Sequence, residues 1–295
     1  MRSITALASL AATVFLISGC GSSGSVSPGV ALQGPGYWTH GRLLGARPWL
    51  SGTGGRSGPA GRGGSAFPTP NPSPTAHSTL RALRVGGLFA QSADGNHFCT
   101  ASVVDSPGHN VLITAAHCIN AGNGSGYRSN IVFIPDYADG NSPFGVWQPE
   151  KLIVDPRWAS GADQDLDVGF IVLKPLDGKN IQDVLGANKL GINPGFSNVV
   201  RVTGYPDTAS EPVTCMNKTT RQAAYQVKFA CAGYPDGTSG SPWVVKFDPQ
   251  SRTGTIVGVI GGYQQGGDTD SISYSSYFDS DIEKLYQEAT SSETG

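Results

Sequence analysis

From about residue 82 the chain alternates short apolar runs with clusters of glycine, proline, asparagine and aspartate. Runs at 85–89, 98–104, 111–114, 131–134, 151–154 and 168–173 predict six strands, each too short for a buried helix and each bounded by turn residues. A second series follows at 199–203, 212–216, 223–230, 242–247, 255–261 and 273–278. Residues 279–290 then place Ile282, Leu285, Tyr286 and Ala289 at helical spacing behind an aspartate-rich start. Six strands, a junction, six strands and a terminal helix describe an all-β fold of two small barrels.

Residues 20–79 carry no such pattern. Glycine, serine and proline dominate, as in 51–55 and 68–74, and apolar residues are too sparse for a core, so the segment reads as a disordered tether. The spots Tyr37-Trp38 and Pro48-Trp49 could be small docking elements or pro-segment contacts. The division is therefore 1–19 signal, 20–79 tether, 80–190 first barrel and 191–295 second barrel with the helix.

Charge sharpens that division. The chain of 295 residues has a net charge of −2, yet residues 1–79 hold five basic residues and no acidic one. The remainder has 15 basic against 22 acidic residues, which disfavours a nucleic-acid partner. Arg2 followed by an apolar, uncharged stretch from Ile4 to Ser18 predicts export, and is too short for a membrane span. The end of that stretch, Ile17-Ser18-Gly19-Cys20, resembles the lipobox of bacterial lipoproteins, whose cysteine is acylated after cleavage. Lipidation at Cys20 would hold the mature chain on a membrane surface. The other reading is an ordinary signal peptide with an incidental cysteine, and the product would be secreted if the tether is cleaved. Five cysteines are an odd number for an exported protein, and lipidation of one leaves four, which allow three pairings. No CxxC or paired-histidine spacing suggests a metal site, and no cofactor is expected.

Candidate chemistry lies in three places. His117 ends the apolar run 111–114 within Thr114-Ala115-Ala116-His117-Cys118. Asp167 stands directly before the run 168–173, and Ser239 lies in Gly237-Thr238-Ser239-Gly240-Ser241-Pro242. A serine hydroxyl is a weak nucleophile until a base takes its proton, a third group orients the base and donors receive the oxyanion. The chain supplies these types in the order His, Asp, Ser. Asp163 and Asp165 compete with Asp167, but only Asp167 immediately precedes the buried run. His97 and His109 have polar, turn-like neighbours and read as surface histidines, and the sequons at Asn123 and Asn217 mean little behind a bacterial lipobox.

These strings resemble the chymotrypsin/trypsin-like serine peptidases in a bacterial form, over about residues 83–288. Residues 98–104 resemble the family's Phe-Cys-Gly-Gly-Ser-Leu-Ile strand, and Thr114 to Cys118 matches its histidine motif. Asp167-Val168-Gly169-Phe170 resembles its Asp-Ile-Ala-Leu strand start, Thr203 to Pro206 the first strand end of its second barrel, and 256–262 the strand that pairs with substrate. The resemblance implies two six-stranded antiparallel Greek-key β-barrels with a C-terminal α-helix. It implies a serine endopeptidase working through an acyl-enzyme, with Ser239 as nucleophile, His117 as base, Asp167 as its orienting carboxylate and the amides of Gly237 and Ser239 as oxyanion hole. It pairs Cys99 with Cys118 and leaves Cys215 with Cys231. It places Gly233, Asp236, Gly261, Gly262 and Tyr263 at the substrate, a peptide or protein met by a monomer.

Departures limit the resemblance. Thr238 occupies the place where animal trypsins carry the aspartate that receives a newly cut N-terminus, so Arg84-Val85-Gly86-Gly87 reads as an ordinary first strand with activity independent of cleavage. Gly233 stands where trypsins select arginine or lysine, which favours a pocket for apolar or small side chains, although Asp236, Asp268 or Asp270 could still supply charge. No histidine follows Cys118, counting against the glutamate-selective bacterial branch. The competing readings are a catalytically silent binding module on the same fold, and an esterase.

Overall fold

The computed structural model describes residues 35–49, 73–79 and 82–291. The signal segment and Cys20 lie outside these residues. Among those described, no helix is long and apolar enough to cross a membrane.

Two stretches inside the expected tether are built into the fold. The first holds helix α1 (His40–Leu44) and the two-residue strand β1 (Arg47–Pro48). The second holds β2 (His77–Ser78), with the amide of Ala76 bonded to the carbonyl of Ala232. A few large side chains suffice. Trp38 is buried against Phe89, Val132 and Ile134, and its indole Nε1 donates to the Asn130 carbonyl at 2.6 Å. A tryptophan that finds both an apolar pocket and an acceptor can anchor a segment whose average composition is polar.

The first barrel comprises β3 (Val85–Ser92), β4 (Gly95–Val104), β5 (Val111–Thr114), β6 (Ser129–Pro135), β7 (Pro149–Val154) and β8 (Gly169–Leu173). They lie in the order β6-β3-β4-β5-β8-β7, all pairs antiparallel, with β1 added in parallel along β4. Leu112, Ile113, Phe170 and Ile171 are fully buried in the middle of the sheet, which is why 111–114 and 168–173 read as unbroken apolar runs. Burying each such side chain stabilises the fold by about 1.5–3 kcal/mol.

After β9 (Lys189–Leu190), the second half begins with β10 (Val199–Gly204) and β11 (Val213–Lys218). It continues with β12 (Thr220–Ala223), β13 (Gln226–Ala230), β14 (Pro242–Asp248), β15 (Thr253–Val259) and β16 (Ile272–Ser276). One sheet runs β2-β11-β10-β14-β15-β9 and a second runs β12-β13-β16, around Val200, Val202, Phe229 and Trp243. The single strand predicted over 223–230 is instead a hairpin turning at Ala224-Tyr225, because its outer arm is polar and exposed and gives no apolar run. The disulfide Cys215–Cys231 ties β11 to the end of β13, and Cys99–Cys118 ties β4 to the turn after β5.

Beyond the short helices α2 (Ala116–Ile119), α3 (Pro156–Gly161) and α4 (Ile181–Leu185), helix α5 (Ser280–Ser291) follows the second half in sequence but packs on the first. Ile282, Leu285 and Ala289 join that core, the Tyr286 ring lies 5.7 Å from Phe170, and Arg157 pairs with Asp281 at 2.9 Å.

Candidate active site

His117 lies in α2 (Ala116–Ile119), a single turn that caps β5. Asp167 ends a 3₁₀ turn, Gln164–Leu166, immediately before β8. Because β5 and β8 are paired from Thr114↔Gly169 onward, the two residues leave neighbouring strand ends together. His117 Nδ1 and Asp167 Oδ2 are 2.8 Å apart, with exposures of 1% and 0%. The amide of His117 donates to Oδ1 at 2.9 Å, and that of Gly262 to Oδ2 at 2.9 Å. The carboxylate thus receives three N–H groups, and with the Nδ1 proton held by Asp167 the lone pair of the neutral ring resides on Nε2. Asp163 and Asp165 do other work: Asp163 caps the 3₁₀ turn, and Asp165 accepts from Gln226.

Ser239 belongs to the second half of the chain, in the turn before β14. Its turn is pressed on β4 and β5: the amide of Thr100 donates to the Ser239 carbonyl at 2.8 Å, and Thr100 Oγ1 to the Gly237 carbonyl at 3.2 Å. Gly240, at φ +83°, has no room for a Cβ, which would overlap the Thr100 carbonyl and Thr114 Oγ1. Gly237, at φ +90°, is likewise closed in, with Phe98 2.5 Å from where a Cβ would stand. Both positions demand glycine through backbone conformation and space alike. The amides of Gly237 and Ser239 donate to no acceptor among the described residues, whereas those of Thr238, Gly240 and Ser241 are all used inside the turn and against Ile260. Thr238 is buried with its hydroxyl on the Pro235 carbonyl.

His117 Nε2 is buried and has no hydrogen-bond partner, so the Ser239 Oγ–Nε2 bond is not formed in this structure. Such contacts are commonly loose before substrate binds. Rotation about the serine Cα–Cβ bond is the only internal motion that aims Oγ.

The expected substrate-contact residues are placed unevenly. The amide of Gly261 donates to the Tyr274 carbonyl and that of Gly262 to Asp167, so neither is free for a peptide. Tyr263 is partly exposed and meets Tyr274 edge-on at 5.0 Å. Gly233 faces Ala76 of the N-terminal segment. The carbonyl of Asp236 accepts from the amide of Asp207, and burial, together with the charges of Asp236 and Asp270, raises the Asp207 carboxyl above its ordinary range.

Three contributors escape the sequence reading. Gln226, 3% exposed, accepts from the Tyr263 amide and donates to the Gln164 carbonyl and Asp165, tying the loop after β15 to the loop before Asp167. A glutamine at the head of a strand that also holds Lys228 is only a weak signal for such a tie. Arg128 and Asp207 have no comparable local signal. His97 also needs correction: it is buried, because Trp49 packs on its ring at 4.5 Å. His109 is half exposed and pairs with Asp183 at 2.6 Å. Cys99 and Cys118 lie within 4.8 Å of a His117 ring nitrogen, but as disulfide partners they offer no thiolate to a metal.

Comparison with known proteins identifies the family and the fold. A sequence profile of the family described as Trypsin matches residues 84–280. No protein of curated function matches the chain. Among solved structures, the protease Anisep from Arthrobacter nicotinovorans is 25% identical, with a TM-score of 0.67 over 74% of this chain and 100% of its own. The thermostable serine protease AL20 from an extremophilic microorganism is 27% identical, with a TM-score of 0.65 over 71% of this chain and 97% of its own. A Glu endopeptidase shares the fold at 14% identity and a TM-score of 0.59, over 75% of this chain and 98% of its own. The profile spans both barrels, and the chain belongs to the trypsin family of serine proteases.

Proposed function

We propose that this serine protease is an endopeptidase that cleaves peptide bonds through an acyl-enzyme. Ser239 Oγ attacks the scissile carbonyl while His117 Nε2 takes its proton. Asp167 holds the ring by Nδ1 and stabilises the imidazolium that forms. The amides of Gly237 and Ser239 receive the oxyanion, and His117 then returns the proton to the leaving amine. Water repeats the sequence to release the acid. No metal or organic cofactor enters these steps.

The observation that carries this reading is the buried His117–Asp167 pair, with Nε2 bonded to nothing and two unused amides in the adjacent serine turn. Donors fixed in place before reaction cost no reorganisation when charge develops. The unmade Ser239–His117 bond is the one observation that favours a catalytically silent module. A fluorophosphonate probe decides between them. The folded chain should be labelled and the Ser239→Ala variant should not; an unlabelled wild type would establish the silent module. Cleavage of an unstructured protein substrate then separates peptidase from esterase.

We infer an exported protein, held at a membrane surface by acylated Cys20 and acting on peptides or proteins as a monomer. Two disulfides support an oxidising compartment.

A further inference from the structure

The helix that carries His117 is too short to satisfy its own carbonyls. Among the last of them, Ala116 O accepts from Asn120 N at 2.8 Å and Ile119 O from Arg128 N at 2.9 Å. His117 O is held by the Arg128 side chain, from Nε at 3.1 Å and Nη2 at 2.8 Å. The backbone of the histidine is thereby gripped on both sides of its Cα: its amide by Asp167, its carbonyl by a guanidinium fork.

That guanidinium is in an unusual position. Arg128 is 8% exposed and forms no ion pair with a carboxylate among the described residues. Burial lowers its pKa to about 10, which leaves it cationic at neutral pH. A buried cation that makes no ion pair, with only the charge of Asp94 acting on it from a distance, needs carbonyl oxygens or an aromatic face. The second is supplied by Trp49, whose ring centre lies 3.2 Å from Arg128 Cζ. Trp49 belongs to the N-terminal arm, residues 35–49. Its amide donates to the Phe98 carbonyl at 3.1 Å, β1 pairs Arg47 with His97 and Pro48 with Phe98, and Trp38 anchors the arm upstream.

We propose that Arg128 is a positioning residue for the His117 imidazole and that Trp49 keeps it in place, which makes the arm a working part of the catalytic unit. The proposal rests on His117 acting as the base. Without the indole, water reaches the guanidinium, the side chain gains a hydrated alternative to the His117 carbonyl, and α2 loses its C-terminal restraint. The imidazole then samples orientations in which Nε2 misses Ser239. Neither Arg128 nor Trp49 is placed at the substrate, so the step that suffers is proton transfer and not binding.

The test uses the full chain and its Trp49→Ala, Trp49→Phe and Arg128→Lys variants, with melting curves to establish that each is folded. The maximal rate of fluorophosphonate labelling should fall roughly 10- to 100-fold in Trp49→Ala and Arg128→Lys, the size expected of a misoriented catalytic group. The probe concentration giving half the maximal rate should stay within about 2-fold of wild type, and Trp49→Phe should recover most of the loss. Independently, the His117 Nδ1 proton, read by NMR, should exchange with water faster in Trp49→Ala than in wild type. Labelling of Trp49→Ala at the wild-type rate or above, with unchanged proton exchange, would overturn the proposal; a faster rate would mean that the arm obstructs the crevice. If wild type itself is unlabelled, the peptidase reading fails, and the proton-exchange comparison still decides whether Trp49 and Arg128 hold the imidazole.

Discussion

Thr100 and Ser239 meet where the two barrels touch, the amide of the one donating to the carbonyl of the other at 2.8 Å. This bond seats the serine turn on a strand of the opposite barrel, and Gly240 permits the approach. Gly240→Ala adds a methyl group where the Thr100 carbonyl and Thr114 Oγ1 already stand, at a backbone φ of +83°. Strain and overlap together should cost about 3 kcal/mol or more. A melting temperature within a degree of wild type would show that the turn has more freedom than this contact allows.

Asp167→Asn tests the electrostatic half of the site. The amide presents an N–H₂ donor to Nδ1, favouring the tautomer whose Nε2 carries the proton and has no lone pair for Ser239. Labelling should fall about 10⁴-fold, the size known for this change in the chymotrypsin triad, and stability by about 1–3 kcal/mol, because the new N–H₂ faces the buried Gly262 amide that donated to Oδ2.

The two disulfides should contribute alike to stability and unlike to activity. They span 19 and 16 residues, so each stabilises by about 3 kcal/mol in the chain-entropy model. Only Cys99–Cys118 is attached to the histidine turn. Replacing Cys215 and Cys231 by alanine should lower the melting temperature while folded protein keeps its labelling rate. Replacing Cys99 and Cys118 should lower both, and equal rates for the two folded variants would refute the distinction.

Asp207 gives a pH-dependent expectation. Its carboxyl is raised above the model-peptide value of 3.8 by burial, then by Asp236 and Asp270. The folded state therefore binds this proton more tightly than the unfolded state, and stability is lost as pH rises from 3.8 through the raised value. Asp207→Asn should raise the melting temperature at neutral pH and give no gain at about pH 3, where both states are protonated. The same gain at both pH values would assign the effect to packing.

Arg84 bears on activation. Its side chain is half buried, Nη1 donates to the Arg252 carbonyl at 3.2 Å, and the Val85 amide bonds back to Ala82 at 2.6 Å as β3 begins. An uncut chain thus already forms the first strand. Arg84→Gln protein should be labelled at the wild-type rate with its N-terminus upstream of residue 85. Finding label only on chains that begin at Val85 would show that cleavage is required.

The strand series and the terminal helix were legible because apolar period is a local property. The run 111–114 coincides with β5, and 168–173 differs from β8 by one residue, since both are buried on two faces and their side chains are apolar except Thr114, whose hydroxyl bonds the Thr100 carbonyl. The hairpin of β12 and β13 was missed because polar, exposed residues pair through backbone groups that side-chain pattern does not report. His97 was misjudged for a related reason: what covers it comes from residue 49, across a stretch whose composition predicts no order.

By itself the sequence determined the two series of strands, the family, and the side chains available for catalysis, because run length, turn residues and motif spacing are written along the chain. Tertiary structure alone decided that α5 packs on the first barrel, that Gln226 ties two loops of the site together, and that Trp49 roofs the arginine holding His117. Those outcomes depend on which distant surfaces exclude water from one another, and that is settled only when the whole chain has folded.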